Sequence, residues 1–157
     1  MNEVVLFWKV FMVCTMLGWG LAYGVAQGIN DAKLIDILTD RGVGIDHKAK
    51  WLRRMNAGAM MFLILLLFAV YHKWWIAFLT GPAIMAGAFM VTHRWHVNIR
   101  RKRHPKPWHY VSTSNQYDRV MIFIFGRSAG YAAYILECSV VITGIVLSFT
   151  KLPYLNG

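Results

Sequence analysis

Acidic side chains are scarce in this sequence, which has seven Asp and Glu among its 157 residues against 17 Lys and Arg. The resulting net charge of +10 would suit nucleic acid. However, no nucleic-acid fold signature accompanies the densest basic run, RRKRHPK at 100–106. We therefore expect nucleic acid not to be a partner. The charge is better interpreted as a loop that obeys membrane orientation rules and contacts anionic lipid headgroups.

Cysteine and secretory features are also sparse. Cys14 and Cys138 both lie in apolar segments, with neither a disulfide framework nor metal-ligand spacing. We interpret both as small buried hydrophobes. The N-terminus, MNEVV, has no basic stretch before its apolar run, and no A-x-A cleavage site follows. We expect this run to be a retained first helix.

Charge is nearly absent from four long segments. Hydrophobic residues make up 57% of the chain, above the roughly 45–50% typical of soluble domains. A spanning helix needs about 20 predominantly apolar residues. The sequence therefore predicts an all-α, polytopic membrane protein forming a single domain, 1–157. Its four transmembrane helices are expected near 4–27, 55–71, 74–93 and 120–150.

The remaining charge is distributed unevenly between the two sides. The loops at 28–54 and 94–119 hold thirteen of the 17 Lys and Arg, whereas the opposite side has only Lys73 and Lys151. Short loops rich in Lys and Arg stay in the cytoplasm. The sequence thus predicts two basic cytoplasmic loops and both termini outside, with a bacterial inner membrane as the expected location.

Local signals predict structure inside the first loop. Asn30 is placed to cap a short amphipathic helix over DAKLIDILTDR, and Gly42 is placed to end it. Such a helix would lie on the membrane surface or against the bundle. The alternative is a poorly ordered tether.

The stretch GRSAGYAAYILE at 126–137 combines small residues with a buried-looking acid. Small residues spaced along one helix face allow backbones to approach closely in lipid. The stripe on the fourth span contains Gly126, Gly130 and Ala133. A similar stripe on the first span contains Gly20 and Gly24.

We expect these two helices to pack antiparallel, with Lys9 level with Glu137 as an intramembrane charge pair. Three alternatives stay open. Lys9 could reach water at its end of the span, and Glu137 could be protonated or face another protein.

Catalytic and metal-binding signals are weak. Gly126–Gly130 matches G-x-S-x-G formally, but this motif needs a strand-to-helix elbow that exposes Ser128. His93 and His96 could share a helix face, yet no Cys, Asp or Glu stands nearby to complete a metal site. No histidine lies deep in a span to hold haem. We therefore expect no cofactor, no metal and no enzyme activity; a membrane enzyme using Ser128 or the two histidines is a weak alternative.

These patterns favour a non-enzymatic membrane subunit that packs into, or helps assemble, a larger complex. Its basic loops would dock other membrane subunits or anionic lipid, through Arg100, Arg101, Lys102, Arg103 and Arg127. The alternative function is a small ion or solute channel or transporter that uses Lys9, Glu137 and a kink at Pro82.

Overall fold

The computed structural model describes residues 3–40, 47–71, 74–100 and 116–150. These residues form helices and turns without any strand, which confirms the all-helical prediction. The α-helices are α1 (Glu3–Asp40), α2 (His47–Tyr71), α3 (Ala77–Arg100), α4 (Gln116–Phe125) and α5 (Ala129–Phe149).

The first helix is longer than its apolar run. α1 has 38 residues, or about 57 Å of length, and passes through Asn30 without a break. The separate amphipathic helix expected in the first loop is therefore wrong, because that segment continues α1. Asp31 and Ala32 are buried, and packing at this point outweighs the local capping preference.

The predicted fourth span is also different, because a turn divides it into α4 and α5. Gly126–Ser128 form a single 3₁₀ turn in which Gly126 adopts φ +53°, a left-handed conformation that favours glycine. Asp118 and Glu137 both contact the guanidinium of Arg94. In one unbroken helix those residues would be about 28 Å apart. The chain therefore reverses at the turn, and α4 lies beside the first half of α5, where Met121 packs with Ala129 and Ala133.

α3 is the central helix of the bundle and packs on α1, α5 and α2. It runs from Ala77 to Arg100 through Pro82, so the helix is not broken at this proline. Gly87 and Gly144 lie at its antiparallel contact with α5, where an added Cβ on Gly144 would come 2.8 Å from Ile84 Cγ1.

The main apolar core lies near the start of α3. Met12 and Met16 from α1, Leu65 from α2 and Ile84 from α3 are buried there with Trp74. These side chains help to line a cavity of about 10 Å³, which is room for about one water molecule.

Three segments of the described chain are long and apolar enough to cross a membrane. They are Glu3–Leu38, Arg54–Tyr71 and Gln116–Phe149. The last segment contains the reversal, but α5 alone has 21 residues and a length of about 32 Å, comparable to the roughly 30 Å hydrocarbon core of a bilayer. The helices are thus compatible with an integral membrane protein.

Candidate functional site

One arginine joins three helices at the end of the bundle where α3 finishes. Arg94 on α3 donates a 2.8 Å hydrogen bond from Nη2 to Glu137 Oε1 on α5. Its Nη1 lies 3.0 Å from Asp118 Oδ1 on α4, within ion-pair distance. We call these three residues the Arg94 cluster. Its side chains are nearly inaccessible, with 12%, 8% and 1% exposure for Arg94, Asp118 and Glu137.

The helical hairpin explains how two acids reach one guanidinium. Asp118 lies eight residues before the turn at Gly126, and Glu137 lies nine residues after it ends at Ser128. Nearly equal distances from a reversal place two residues at about the same height on neighbouring helices. Arg94 has a planar fork of donors that can bind both carboxylates at once, which a lysine cannot match.

The carboxyl group of Glu137 is only partly satisfied. Its Oε1 is bonded to Arg94, whereas its Oε2 is buried and has no hydrogen-bond partner among the described residues. A buried carboxylate oxygen without a donor is costly in free energy. Oε2 is one of several buried polar atoms of this site that have no hydrogen bond among the described residues.

A second charged group lies next to the first along α3. Asp31 Oδ2 on α1 accepts a hydrogen bond from Arg54 Nη2 on α2 and lies 3.0 Å from His93 Nε2 on α3. We call these three residues the Asp31 cluster. His93 Nε2 is also 2.9 Å from Arg54 Nη2, so one ring nitrogen meets both an acid and a base.

The tautomer of His93 decides which contact is a hydrogen bond. With Nε2 unprotonated, the ring accepts from Arg54, and with Nε2 protonated it donates to Asp31. With a neutral histidine the Asp31 cluster is balanced, since Arg54 cancels Asp31. The Arg94 cluster has two acids for one arginine.

The expected pair between Lys9 and Glu137 is not what the structure shows. Glu137 is paired with Arg94. Lys9 instead places its Nζ 5.4 Å from the centre of the Trp74 ring, as a cation–π contact. Lys9 belongs to the apolar core near the start of α3, whereas Glu137 belongs to the opposite half of the bundle. The expectation failed because it assumed that α1 and the final helix face one another.

The small residues of α1 lie at a helix contact, but the partner is α3. A Cβ added to Gly20 would come 2.6 Å from the Met85 carbonyl oxygen, and one on Gly24 would overlap Thr92 Oγ1. Gly28 continues the contact against His93 and His96. Steps of four residues on α1 match steps of four on α3, so the two helices run in the same direction.

The small residues expected on the fourth span have different roles from one another. Gly126 has nothing within 4 Å of an added Cβ and allows the left-handed turn, so its expected role in packing against the stripe of the first span is wrong. Gly130 and Ala133 are buried in the first part of α5. Ala133 packs inside the hairpin with Met121.

The remaining predicted residues lie at or beyond the charged end. Arg100 ends α3 and Arg127 occupies the turn, and both are exposed. Arg101, Lys102 and Arg103 lie outside the described residues. Ser128 is exposed on the turn. Within the described chain, no group of three or more His, Cys, Asp or Glu side chains could hold a metal ion.

Sequence reasoning missed the partners in both clusters. Arg54 and Arg94 were counted only as loop charges, and neither Asp31 nor Asp118 was assigned a role in the bundle. A usable signal was present, because Asp31, Asp118 and Glu137 are three of only seven acids in the chain. Rare acids bordering apolar helices tend to be paired.

In comparisons with known proteins, no family model, no curated protein and no solved structure matches this chain.

Proposed function

We propose that the chain is a non-enzymatic, multi-pass membrane subunit that packs into a larger membrane protein complex. α1, α2, α3 and α5 cross the bilayer in this proposal, and α4 lies beside α5 at the cytoplasmic end. Both termini lie outside the cytoplasm, as the distribution of Lys and Arg favours. Bacterial inner membrane is the proposed location.

The exposed face of α5 is the observation that carries this proposal. Leu136, Ser139, Thr143 and Val146 follow one another at spacings of three, four and three residues, and all four are exposed. Such spacing lines up one seam of a helix for left-handed packing against another helix. Two hydroxyls therefore lie in the middle of an otherwise apolar outer surface.

Three other Ser and Thr hydroxyl groups in the bundle are satisfied within their own helices. Thr80, Thr92 and Ser148 each donate to the carbonyl four residues earlier in their own helix. Across the described residues, Ser139 and Thr143 make no such side-chain hydrogen bond. In lipid, hydroxyl groups of this kind bond across helices and help to hold them together. The occupant that fits is a transmembrane helix of another subunit, with a hydrogen-bonding group at the same depth.

The interior gives less support to the transporter alternative. Glu137 and Asp31 are engaged by Arg94 and Arg54. α3 continues through Pro82, and the cavity near Trp74 is apolar and about 10 Å³ in volume. These features favour a packed bundle over a polar path through it.

Co-purification in mild detergent, followed by mass spectrometry, tests the proposal. A fixed set of membrane proteins should co-purify with the wild-type chain. Most of these proteins should no longer co-purify with the double variant Ser139→Ala with Thr143→Val. The matched control is Ile135→Val with Ile142→Val, on a neighbouring exposed strip of α5, and it should retain the set. Equal recovery in the hydroxyl variant, or ion or solute flux by the wild-type chain alone in liposomes, would contradict the proposed role.

A further inference from the structure

Among the residues that the structure describes, the charges of the Arg94 cluster do not cancel. Arg94 is a single, permanently protonated base between two acids, Asp118 and Glu137. With both acids ionised, the Arg94 cluster would carry one net negative charge in a site that is almost closed to solvent. An uncompensated charge in such surroundings is far less favourable than a neutral group.

The neighbouring Asp31 cluster supplies no spare positive charge when His93 is neutral. A protonated His93 would restore overall balance, but its Nε2 is 2.9 Å from Arg54 Nη2. A fixed cation at this distance opposes a second positive charge on the ring, and Asp31, which lies 3.0 Å from the same nitrogen and favours that charge, is already paired with Arg54. The missing positive charge is therefore better supplied as a proton on one of the two acids beside Arg94.

Geometry distinguishes the two acids. Glu137 is the more buried of the two, at 1% exposure against 8% for Asp118. Its Oε2 is buried without a hydrogen bond among the described residues, whereas Asp118 Oδ1, which also has no hydrogen bond there, lies 3.0 Å from Arg94 Nη1 in an ion pair. A proton on Oε2 neutralises the more buried of the two carboxyl groups.

We propose that Glu137 is a reversible proton-binding site, with the proton on Oε2 and Arg94 forming its ion pair with Asp118. Arg94 Nη2 then donates its hydrogen bond to Oε1 of the neutral Glu137 carboxyl group. Loss of the proton leaves two carboxylates competing for one guanidinium at the junction of α3, α4 and α5. The attachment of the hairpin to α3 thus depends on pH, independently of whether α5 binds another subunit.

Several titratable groups surround this site and belong to its description. Arg94 faces Glu137 from α3, Asp118 and Tyr117 face it from α4, and Tyr134 and Cys138 neighbour it on α5. Tyrosine and cysteine are neutral at pH 7 in their ordinary state. They therefore leave the count of one base against two acids unchanged.

Infrared spectroscopy with isotope labelling tests the proposal on the intact chain. The sequence contains only two glutamates, Glu3 and Glu137, of which Glu3 is exposed. The purified protein should show the carbonyl band of a protonated carboxyl at neutral pH. This band should shift when glutamate is labelled with carbon-13 in its side-chain carboxyl, and should disappear as the pH is raised.

Variants provide a second readout. Glu137→Gln should lack the band and keep the thermal stability of the wild type at neutral pH, because a neutral amide replaces a neutral carboxyl of the same shape. Glu3→Gln should keep the band. Asp118→Asn leaves one acid for one base, so Glu137 should ionise and the band should be lost.

Two results would overturn the assignment. The first is the absence of a protonated-carboxyl band in the wild type at neutral pH. The second is a band that shifts only when aspartate is labelled, which would place the proton on an aspartate instead.

Discussion

The two flanks of α3 are held by different kinds of contact. On the α1 flank, Gly20 and Gly24 let two backbones meet, with carbonyl oxygens of α3 where side chains would otherwise stand. On the hairpin flank, Arg94 reaches across to acids on α4 and α5. The contact at Gly20 and Gly24 depends on the absence of side-chain atoms, and the contact at Arg94 depends on the presence of one charge. They should therefore fail under opposite kinds of substitution.

Removal of the central charge should have the largest effect. Arg94→Gln leaves Asp118 and Glu137 facing each other without their shared cation. Breaking a buried ion pair by removing one partner typically costs about 3–5 kcal/mol. Denaturant unfolding in detergent would measure the loss. Arg100→Gln is the matched control, because this exposed arginine ends the same helix. Equal stability of the two variants would show that the hairpin does not depend on Arg94.

Addition of one methyl group should disturb the other flank by a smaller amount. Gly24→Ala introduces a Cβ that overlaps Thr92 Oγ1 and comes 2.8 Å from the Phe89 carbonyl oxygen. Overpacking of this kind costs about 1–3 kcal/mol. Gly18→Ala is the control on the same helix, since nothing lies within 4 Å of its added Cβ. The control should be neutral or slightly stabilising, because alanine is the better helix former. Unchanged thermal unfolding of Gly24→Ala would contradict the close contact.

The smallest effect is expected at Lys9. Lys9→Met removes the cation–π contact with Trp74, worth about 0.5–2 kcal/mol. It also removes the desolvation cost of a lysine that is 9% exposed, and methionine fills a similar volume. The net change in unfolding free energy should therefore be at most about 1 kcal/mol. A loss as large as that of Arg94→Gln would indicate that Lys9 has an ionic partner after all.

The sequence predicts that the chain is helical, but it predicts where each helix begins and ends less well. Long apolar runs predict helices, and α2 and α3 contain most of the runs at 55–71 and 74–93, but α2 begins earlier, at His47, and α3 ends later, at Arg100. The reversal at Gly126 was missed because GRSAG has the small residues of a packing stripe as well as those of a turn. Length was the available warning, since a helix over 120–150 would measure about 46 Å, well beyond a bilayer core of about 30 Å.

The candidate site was less predictable than the fold. Glu137 stood out as an acid in an apolar run, but its partner is set by which helices touch. That choice depends on Gly87 and Gly144 holding α5 against α3, and on the turn that returns Asp118 to the same height. These contacts are between residues far apart in the chain. The residue pattern of a single helix therefore does not predict them.

The unbroken course of α1 has a mechanical consequence. About 33 Å of continuous helix separates Lys9 from Asp31. The contact of Lys9 with Trp74 and the contact of Asp31 with Arg54 are therefore made by one uninterrupted helix. Because no break interrupts α1 between Lys9 and Asp31, a displacement of the Lys9 end is coupled through a rigid helix to the contact of Asp31 with Arg54 of α2.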